Sequence, residues 1–238
     1  MLVRHRDAEA VARAAASAVV EAAFRAMHDH GHFRLVLAGG RTPRAAYELL
    51  AGEMAAEVDW RRVTLYFGDE RCVPPDDPAS NYRMVRETLV LPLKLPSLAV
   101  RRMAGEVAPD NAAAEYDVEV RRAIEDRQPA FDLVLLGMGP EGHTASLFPG
   151  DPALDERHRT CVHVQVAAEP ADRLTLTPTA LSSTRQVLFL VTGDDKSEAL
   201  AEVFRDQSAV PAAVVSRLAP TRFLVDEAAA SRVGTPAP

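Results

Sequence analysis

The stretch from Phe131 to Gly150, FDLVLLGMGPEGHTASLFPG, limits what this chain can become more than any other segment. Leu133, Val134, Leu135, Leu136 and Met138 leave no polar face, the pattern of a central parallel strand covered on both sides. Gly137, Gly139 and Gly142 then let the backbone turn tightly and approach a ligand closely. His143 stands at the exit of this loop, where Thr144 is expected to begin a short helix. In open α/β sheets, the crevice outside the carboxyl end of a strand is where ligands bind. A histidine there can be a catalyst or a structural residue, and other loops must decide.

The rest of the chain alternates strand and helix without repeats or low-complexity linkers. The charged N-terminus, MLVRHRDAEAVARAAA, reads as helical, with its apolar period running over Ala8 to His28. Strands are expected at Arg34 to Ala38, Val63 to Phe67, Leu98 to Arg102, Cys161 to Val166, Val187 to Val191 and Arg222 to Val225. Helices are expected at Pro43 to Leu50, with the proline in the first turn, and at Asn81 to Leu89, Asp110 to Asp126 and Lys196 to Phe204. Such alternation implies an α/β fold, Rossmann-like, with a mostly parallel central sheet and helices on both faces. Its 238 residues suit one domain over 1–238. The tail at 234–238 is expected to be disordered.

No apolar run approaches the roughly 20 residues of a membrane span. The N-terminus lacks a signal-peptide core, so a cytoplasmic protein is expected. Cys72 and Cys161 match no metal spacing and read as free thiols. A net charge of −7 argues against a nucleic-acid surface. An anionic small molecule remains compatible, because a few converging cations can dominate the potential inside a cleft. Those cations are mostly arginines, 25 against two lysines.

Three further loops follow apolar strands. In AGGRTPRAAYELL, Gly39, Gly40, Arg41 and Thr42 offer bare backbone N–H groups at a helix start, which suits an anion. A simple N-cap by Thr42 is equally compatible. The loop lacks the terminal Gly-Lys-Ser/Thr of a nucleotide-binding P-loop. In YFGDERCVPPDDPASNYRMV, Asp69, Glu70 and Arg71 follow a strand directly. Arg71 offers a planar fork for phosphate, and the carboxylates can orient it or the histidine. Prolines 74, 75 and 78 suggest an ordered loop, with Ser80 and Asn81 opening the next helix. In ADRLTLTPTALSSTRQVLFLVTGDDKSEALAEVF, Arg173 precedes an extended stretch, and Gly193, Asp194, Asp195 and Lys196 follow a strand. A lysine opening a helix opposes the dipole unless an anion sits nearby.

Taken in order, AGGRTP, GDERCVPPDDPASNY, DLVLLGMGPEGHTASLFPG and RLTLTPTAL with GDDK resemble the 6-phosphogluconolactonase family, from about Leu35 to Lys196. The resemblance implies a fold shared with glucosamine-6-phosphate deaminase. It also implies hydrolysis of 6-phosphoglucono-1,5-lactone to 6-phosphogluconate in the pentose phosphate pathway, without a metal or other cofactor. Its expected catalytic group is His143, with Glu141 and Asp69. Gly39, Gly40, Arg41, Thr42, Arg71, Arg173 and Lys196 are expected to bind substrate. The expected partner is a sugar-phosphate lactone, with no nucleic acid or membrane, for a monomer or small homo-oligomer. The family often carries Asp where this chain has Glu141, so a carboxylate is moved by one C–C bond. The deaminase branch typically continues GHIAFNEP, whereas this chain reads GHTASLFP. A deaminase or isomerase on the same scaffold and a non-catalytic phosphosugar-sensing domain are the alternatives.

Lactone hydrolysis agrees with these residues. Water must lose a proton as it attacks, the tetrahedral oxyanion needs donors, and the ring oxygen must be protonated as it leaves. An imidazole can perform both proton transfers, and no serine nucleophile in a GxSxG setting is present.

Overall fold

The computed structural model describes residues 1–234; positions 235–238 of the expected tail lie outside the described residues. Its strands are β1 (Leu2–His5), β2 (Phe33–Leu37), β3 (Val63–Phe67), β4 (Asp69–Arg71), β5 (Val100–Arg101), β6 (Leu133–Leu136), β7 (Cys161–Gln165), β8 (Asp172–Leu176), β9 (Val187–Val191) and β10 (Thr221–Asp226). Seven form one sheet in the order β1-β10-β9-β6-β2-β3-β5, and every pairing in it is parallel. The all-apolar β6 lies at its centre with all four residues buried. β4, β8 and β7 make a second, antiparallel sheet.

The strand order carries the functional consequence. From β2 the chain moves outward to β3 and β5, then returns to β6 and moves the other way to β9 and β10. Strand order therefore reverses between β2 and β6, whose Leu35 and Val36 pair with Leu133 and Val134. A crevice opens at such a reversal because the two connections leave in opposite directions. The two glycine loops follow these two strands.

The helices are α1 (Ala8–His30), α2 (Arg41–Ala51), α3 (Asn81–Val85), α4 (Pro109–Asp126), α5 (Pro178–Leu181), α6 (Ser197–Val203) and α7 (Pro211–Ser216). α1 starts where the Asp7 carboxylate accepts the Ala10 N–H at 2.8 Å and ends at Gly31, whose φ of 87° suits glycine. Its buried face is mostly alanine, so it lies close to the sheet and to α2. Two buried tyrosines clip the strand ends beside the crevice. The Tyr47 hydroxyl donates to the Ala38 carbonyl and accepts the Ala38 N–H, at 2.9 and 3.0 Å. Tyr116 of α4 accepts the Phe67 N–H at 2.8 Å and reaches the Arg101 carbonyl at 3.2 Å.

The structure corrects several expectations. Residues 2–5 form an edge strand, not helix, because β10 supplies a ladder for their backbone. β7 belongs to the small antiparallel sheet. The helix expected to Leu89 widens into a π-helical turn over Arg86–Val90, where the Thr88 hydroxyl donates to the Met84 carbonyl at 2.8 Å. The strand expected at Leu98–Arg102 shrinks to Val100–Arg101. No helix begins at Thr144. Its backbone pairs with Leu147 in a tight turn, its hydroxyl donates to the Gly137 carbonyl at 2.8 Å, and Ala145 takes a φ of 49°.

Candidate active site

A cleft of about 300 Å³ opens at the carboxyl ends of β9, β6, β2 and β3, four neighbours in the sheet. Gly39, Gly40, Arg41, Thr42, Asp69, Arg71, His143, Arg173 and Lys196 line it, so residues far apart in sequence meet there. Glu141 is the one expected site residue outside the lining; it stands beside the His143 ring.

The β6 loop builds the histidine. The Gly139 N–H donates to the His143 carbonyl at 2.9 Å and the Gly142 N–H to the Gly139 carbonyl at 3.0 Å, which closes the loop on itself. A Cβ on Gly139 would lie 2.0 Å from His143 Nδ1, so only glycine admits the ring here. Glu141 Oε1 sits 3.0 Å from Nδ1 but off the axis of a ring N–H, and Nδ1 is buried without a hydrogen bond. With Nδ1 turned to Glu141, Nε2 is the other ring nitrogen, and His143 lines the cleft. Burial pushes the Glu141 carboxyl up, but its own backbone N–H and the charges of His143 and Lys196 outweigh this and hold it below the usual carboxylate range. The opposite constraint on the ring is Phe148, stacked on it at 4.3 Å between centroids and 25° between planes.

The β2 loop brings backbone to the cleft. α2 begins at Arg41 with Gly40 as its cap, and Thr42 is not the cap residue. Its hydroxyl instead meets the Thr192 hydroxyl at 2.8 Å, tying this loop to the end of β9. Gly39 has a steric duty, since a Cβ there would lie 2.1 Å from Asn81 Oδ1. Arg41 is exposed at the rim.

The β3 loop separates the two acidic neighbours. Glu70 is buried and caps α3, accepting the N–H groups of Arg71, Asn81 and Tyr82 at 2.7–2.8 Å and the Ser80 hydroxyl at 3.1 Å. Burial pushes its carboxyl up, while the amides of Tyr82, Asn81 and Arg71 pull it back. Its lone pairs are committed to the chain, so it orients neither arginine nor histidine. Asp69 faces the cleft, where it accepts from Ser146 Oγ at 2.8 Å and from Asn81 Nδ2 at 3.1 Å. No hydrogen bond joins it to His143 among the described residues.

The second sheet supplies the cations. Arg71 and Arg173 are direct cross-strand partners in the β4–β8 pair, an arrangement that like charges oppose. Arg71 Nε is buried without a hydrogen-bond partner, and its Nη1 donates to the Ala79 carbonyl. Arg173 is buried, and its Nε reaches the Pro170 carbonyl at 3.3 Å. Burial, then the Arg71 charge, disfavour its ionised form, against the pull of Asp69. Among the described residues neither arginine has a carboxylate in salt-bridge range. Lys196, by contrast, already pairs with Asp195 at 2.9 Å, in a 3₁₀ turn ahead of α6.

Asn81, Ser146, Thr192 and Phe148 were not singled out as site residues from the sequence. Asn81 was legible only as a helix start, and Phe148 was hidden because its segment was expected to be helical. Among the described residues no cluster of three or more His, Cys, Asp or Glu could hold a metal ion, and no helix is long and apolar enough to cross a membrane.

Comparison with known proteins identifies the family. Residues 6–223 match the family described as glucosamine-6-phosphate isomerases/6-phosphogluconolactonase. A 6-phosphogluconolactonase of Streptomyces coelicolor is 36% identical over 245 residues, covering 98% of this chain and 94% of that protein. The crystal structure of 6-phosphogluconolactonase from Thermotoga maritima superposes with a TM-score of 0.84 at 31% identity, covering 95% of this chain and 99% of the other. A monomeric glucosamine-6-phosphate deaminase shares the fold, with a TM-score of 0.81 at 21% identity over 97% and 99% of the two chains.

Proposed function

Since this chain belongs to the family of glucosamine-6-phosphate isomerases and 6-phosphogluconolactonases, we propose that it hydrolyses 6-phospho-D-glucono-1,5-lactone to 6-phospho-D-gluconate, acting as one domain in the oxidative pentose phosphate pathway. The observation that carries this reading is the division of the cleft. A histidine with its Nδ1 against a carboxylate lies on one loop, and two arginines that among the described residues have no carboxylate in salt-bridge range are cross-strand partners on the neighbouring sheet.

His143 Nε2 takes a proton from water as the oxygen attacks the lactone carbonyl carbon. Glu141 stabilises the imidazolium that forms. The oxyanion of the tetrahedral species is met by backbone N–H groups of the glycine loops, the first-turn amides of α2, which have no intrahelical acceptor, among them. Collapse breaks the bond from carbon to the ring oxygen, which receives the proton back from Nε2. Arg71 and Arg173 hold the phosphate dianion, relieving their mutual repulsion, and Lys196 and Arg41 add positive potential at the rim. Phosphate binding remote from the reacting carbon thereby positions the carbonyl. Asp69, held by Ser146 and Asn81, accepts from sugar hydroxyl groups and offsets Arg173.

The test is an assay with freshly generated 6-phosphogluconolactone. Hydrolysis well above the spontaneous rate and indifferent to chelator is expected. No acceleration over the blank overturns the reading; ammonia released from glucosamine 6-phosphate would point to the deaminase reaction, and tight phosphosugar binding without turnover to a sensing domain.

A further inference from the structure

Phe148 touches both halves of the cleft. Its ring is stacked on the imidazole of His143, and the guanidinium carbon of Arg173 lies over the same ring at 6.0 Å, the outer reach of a cation–π contact. The segment carrying it is fixed at several points. Thr144 is tied to the Gly137 carbonyl at the end of β6, and Ser146 is tied through its N–H to Thr175 Oγ1 at 3.2 Å and through its hydroxyl to Asp69 at 2.8 Å. Asp151 N–H then closes on the Phe148 carbonyl at 3.1 Å. Thr175 and Arg173 lie on the same strand, β8, so the turn that aims Phe148 is braced against the strand that carries the cation.

An aromatic ring needed only to fill a gap would have no reason to sit between these two groups. The Arg173 guanidinium lies over the face of Phe148, and its Nε reaches the Pro170 carbonyl. An anion that draws the guanidinium toward itself changes its hold on the ring, and the ring in turn bounds the plane of the imidazole. Gly139 packs directly against the same imidazole, since a Cβ there would lie 2.0 Å from Nδ1 and 2.1 Å from Cε1.

We propose that Phe148 is a positioning residue that couples anion binding at Arg173 to the orientation of His143, so that the enzyme senses the phosphate of its substrate in the chemical step as well as in binding. The proposal rests on the lactonase reading for its catalytic consequence, but the coupling itself can be read without turnover.

The probe is inorganic phosphate added to the full chain. Imidazole NMR signals of His143, assigned by their loss in His143→Ala, should shift saturably with phosphate in the parent and in Phe148→Tyr, which keeps the ring. They should stay fixed in Phe148→Leu although calorimetry still detects phosphate binding. In parallel, kcat/KM for the phosphate-free glucono-1,5-lactone should rise roughly 2- to 5-fold with phosphate in the parent and in Phe148→Tyr, the size of one cation–π contact, and should not rise in Phe148→Leu. If Phe148→Leu does not fold, Phe148→Met removes the ring while keeping the bulk. Phosphate that binds the parent without moving His143, that fails to bind at all, or that moves His143 equally in the ring-less variant overturns the proposal. Phosphate-dependent shifts in a chain that hydrolyses no lactone would support the coupling and sink the lactonase reading instead.

Discussion

The two ends of the central sheet treat charge in opposite ways. At the amino ends of the strands, the buried Asp132 is surrounded by donors: Arg127 through both terminal nitrogens at 3.0 and 2.9 Å, His30 at 3.0 Å, the Arg34 N–H at 2.8 Å and Arg185 at 3.4 Å. At the carboxyl ends, Arg71 and Arg173 are cross-strand partners, and among the described residues neither has a carboxylate in salt-bridge range. A buried charge with its partners supplied by the chain holds elements together. A cation pair without them is stable only with a ligand or at a cost to the fold. The first end is closed by the chain's own residues, and in the proposed reading the phosphate of the substrate completes the second.

This contrast can be broken experimentally. Its largest expected effect lies at the amino end. Asp132→Ala should lower stability by about 3 kcal/mol, the low end for a broken buried pair because its cations are partly exposed. Denaturant melts would reveal it, and kcat/KM of the folded fraction should stay near the parent value. An unchanged midpoint would mean that Asp132 is not the tie.

At the carboxyl end, His143→Ala should lower kcat by a factor of about 10² or more with a modest change in KM, as expected for loss of general-base catalysis. Near-parent kcat would shift the assignment to Glu141 or Asp69. Arg173→Ala should reduce kcat/KM for the phosphorylated lactone roughly 10- to 100-fold, the worth of a charge-assisted contact. Its effect on the phosphate-free lactone should be slight, because that substrate already lacks the anchor. Equal losses on both lactones would make Arg173 part of the chemical step or of folding. Unlike Asp132→Ala, it should not destabilise the free enzyme, since it removes a repulsion.

The smallest effect concerns His32, whose Nε2 meets the Thr64 hydroxyl at 2.8 Å near the amino end. Burial, then the charges of Arg34 and Arg127, hold it below its ordinary value of 6.5. Its folded pKa is depressed, so the unfolded chain binds more protons as pH drops. The stability it allows is present above 6.5 and is lost as pH falls through the window below. The melting temperature should therefore decline from about pH 7.5 to about pH 5.5, and His32→Gln should flatten part of that slope. An unaltered slope in the variant would assign the decline to other groups.

How much of this was legible in the sequence depended on what held each segment. β3 and β9 fall where their apolar runs end, and the β6 loop was readable because its buried strand and glycines are both local signals. β4 was not, since Asp69-Glu70-Arg71 has no strand pattern; its backbone is held by β8, and its buried Glu70 is made tolerable by capping α3. β1 was hidden for a related reason, as its partner lies more than two hundred residues away. In the cleft, the charged lining residues and His143 were foreseeable from their types and loops. The side chains that aim them were not. Asn81 turns back over Gly39 to Asp69, and Phe148 reaches His143 and Arg173 through a turn in place of the expected helix.

The pairing of Leu2–His5 with Phe223–Asp226 also has a consequence for biosynthesis. Translation delivers β1 long before β10, so β1 waits for this partner while the polypeptide that separates them is made. Contacts so remote along the chain form slowly, and unpaired strand edges invite association with other chains. The waiting strand is only four residues long and carries Arg4 and His5, which limits how far a stray neighbour can zip onto it.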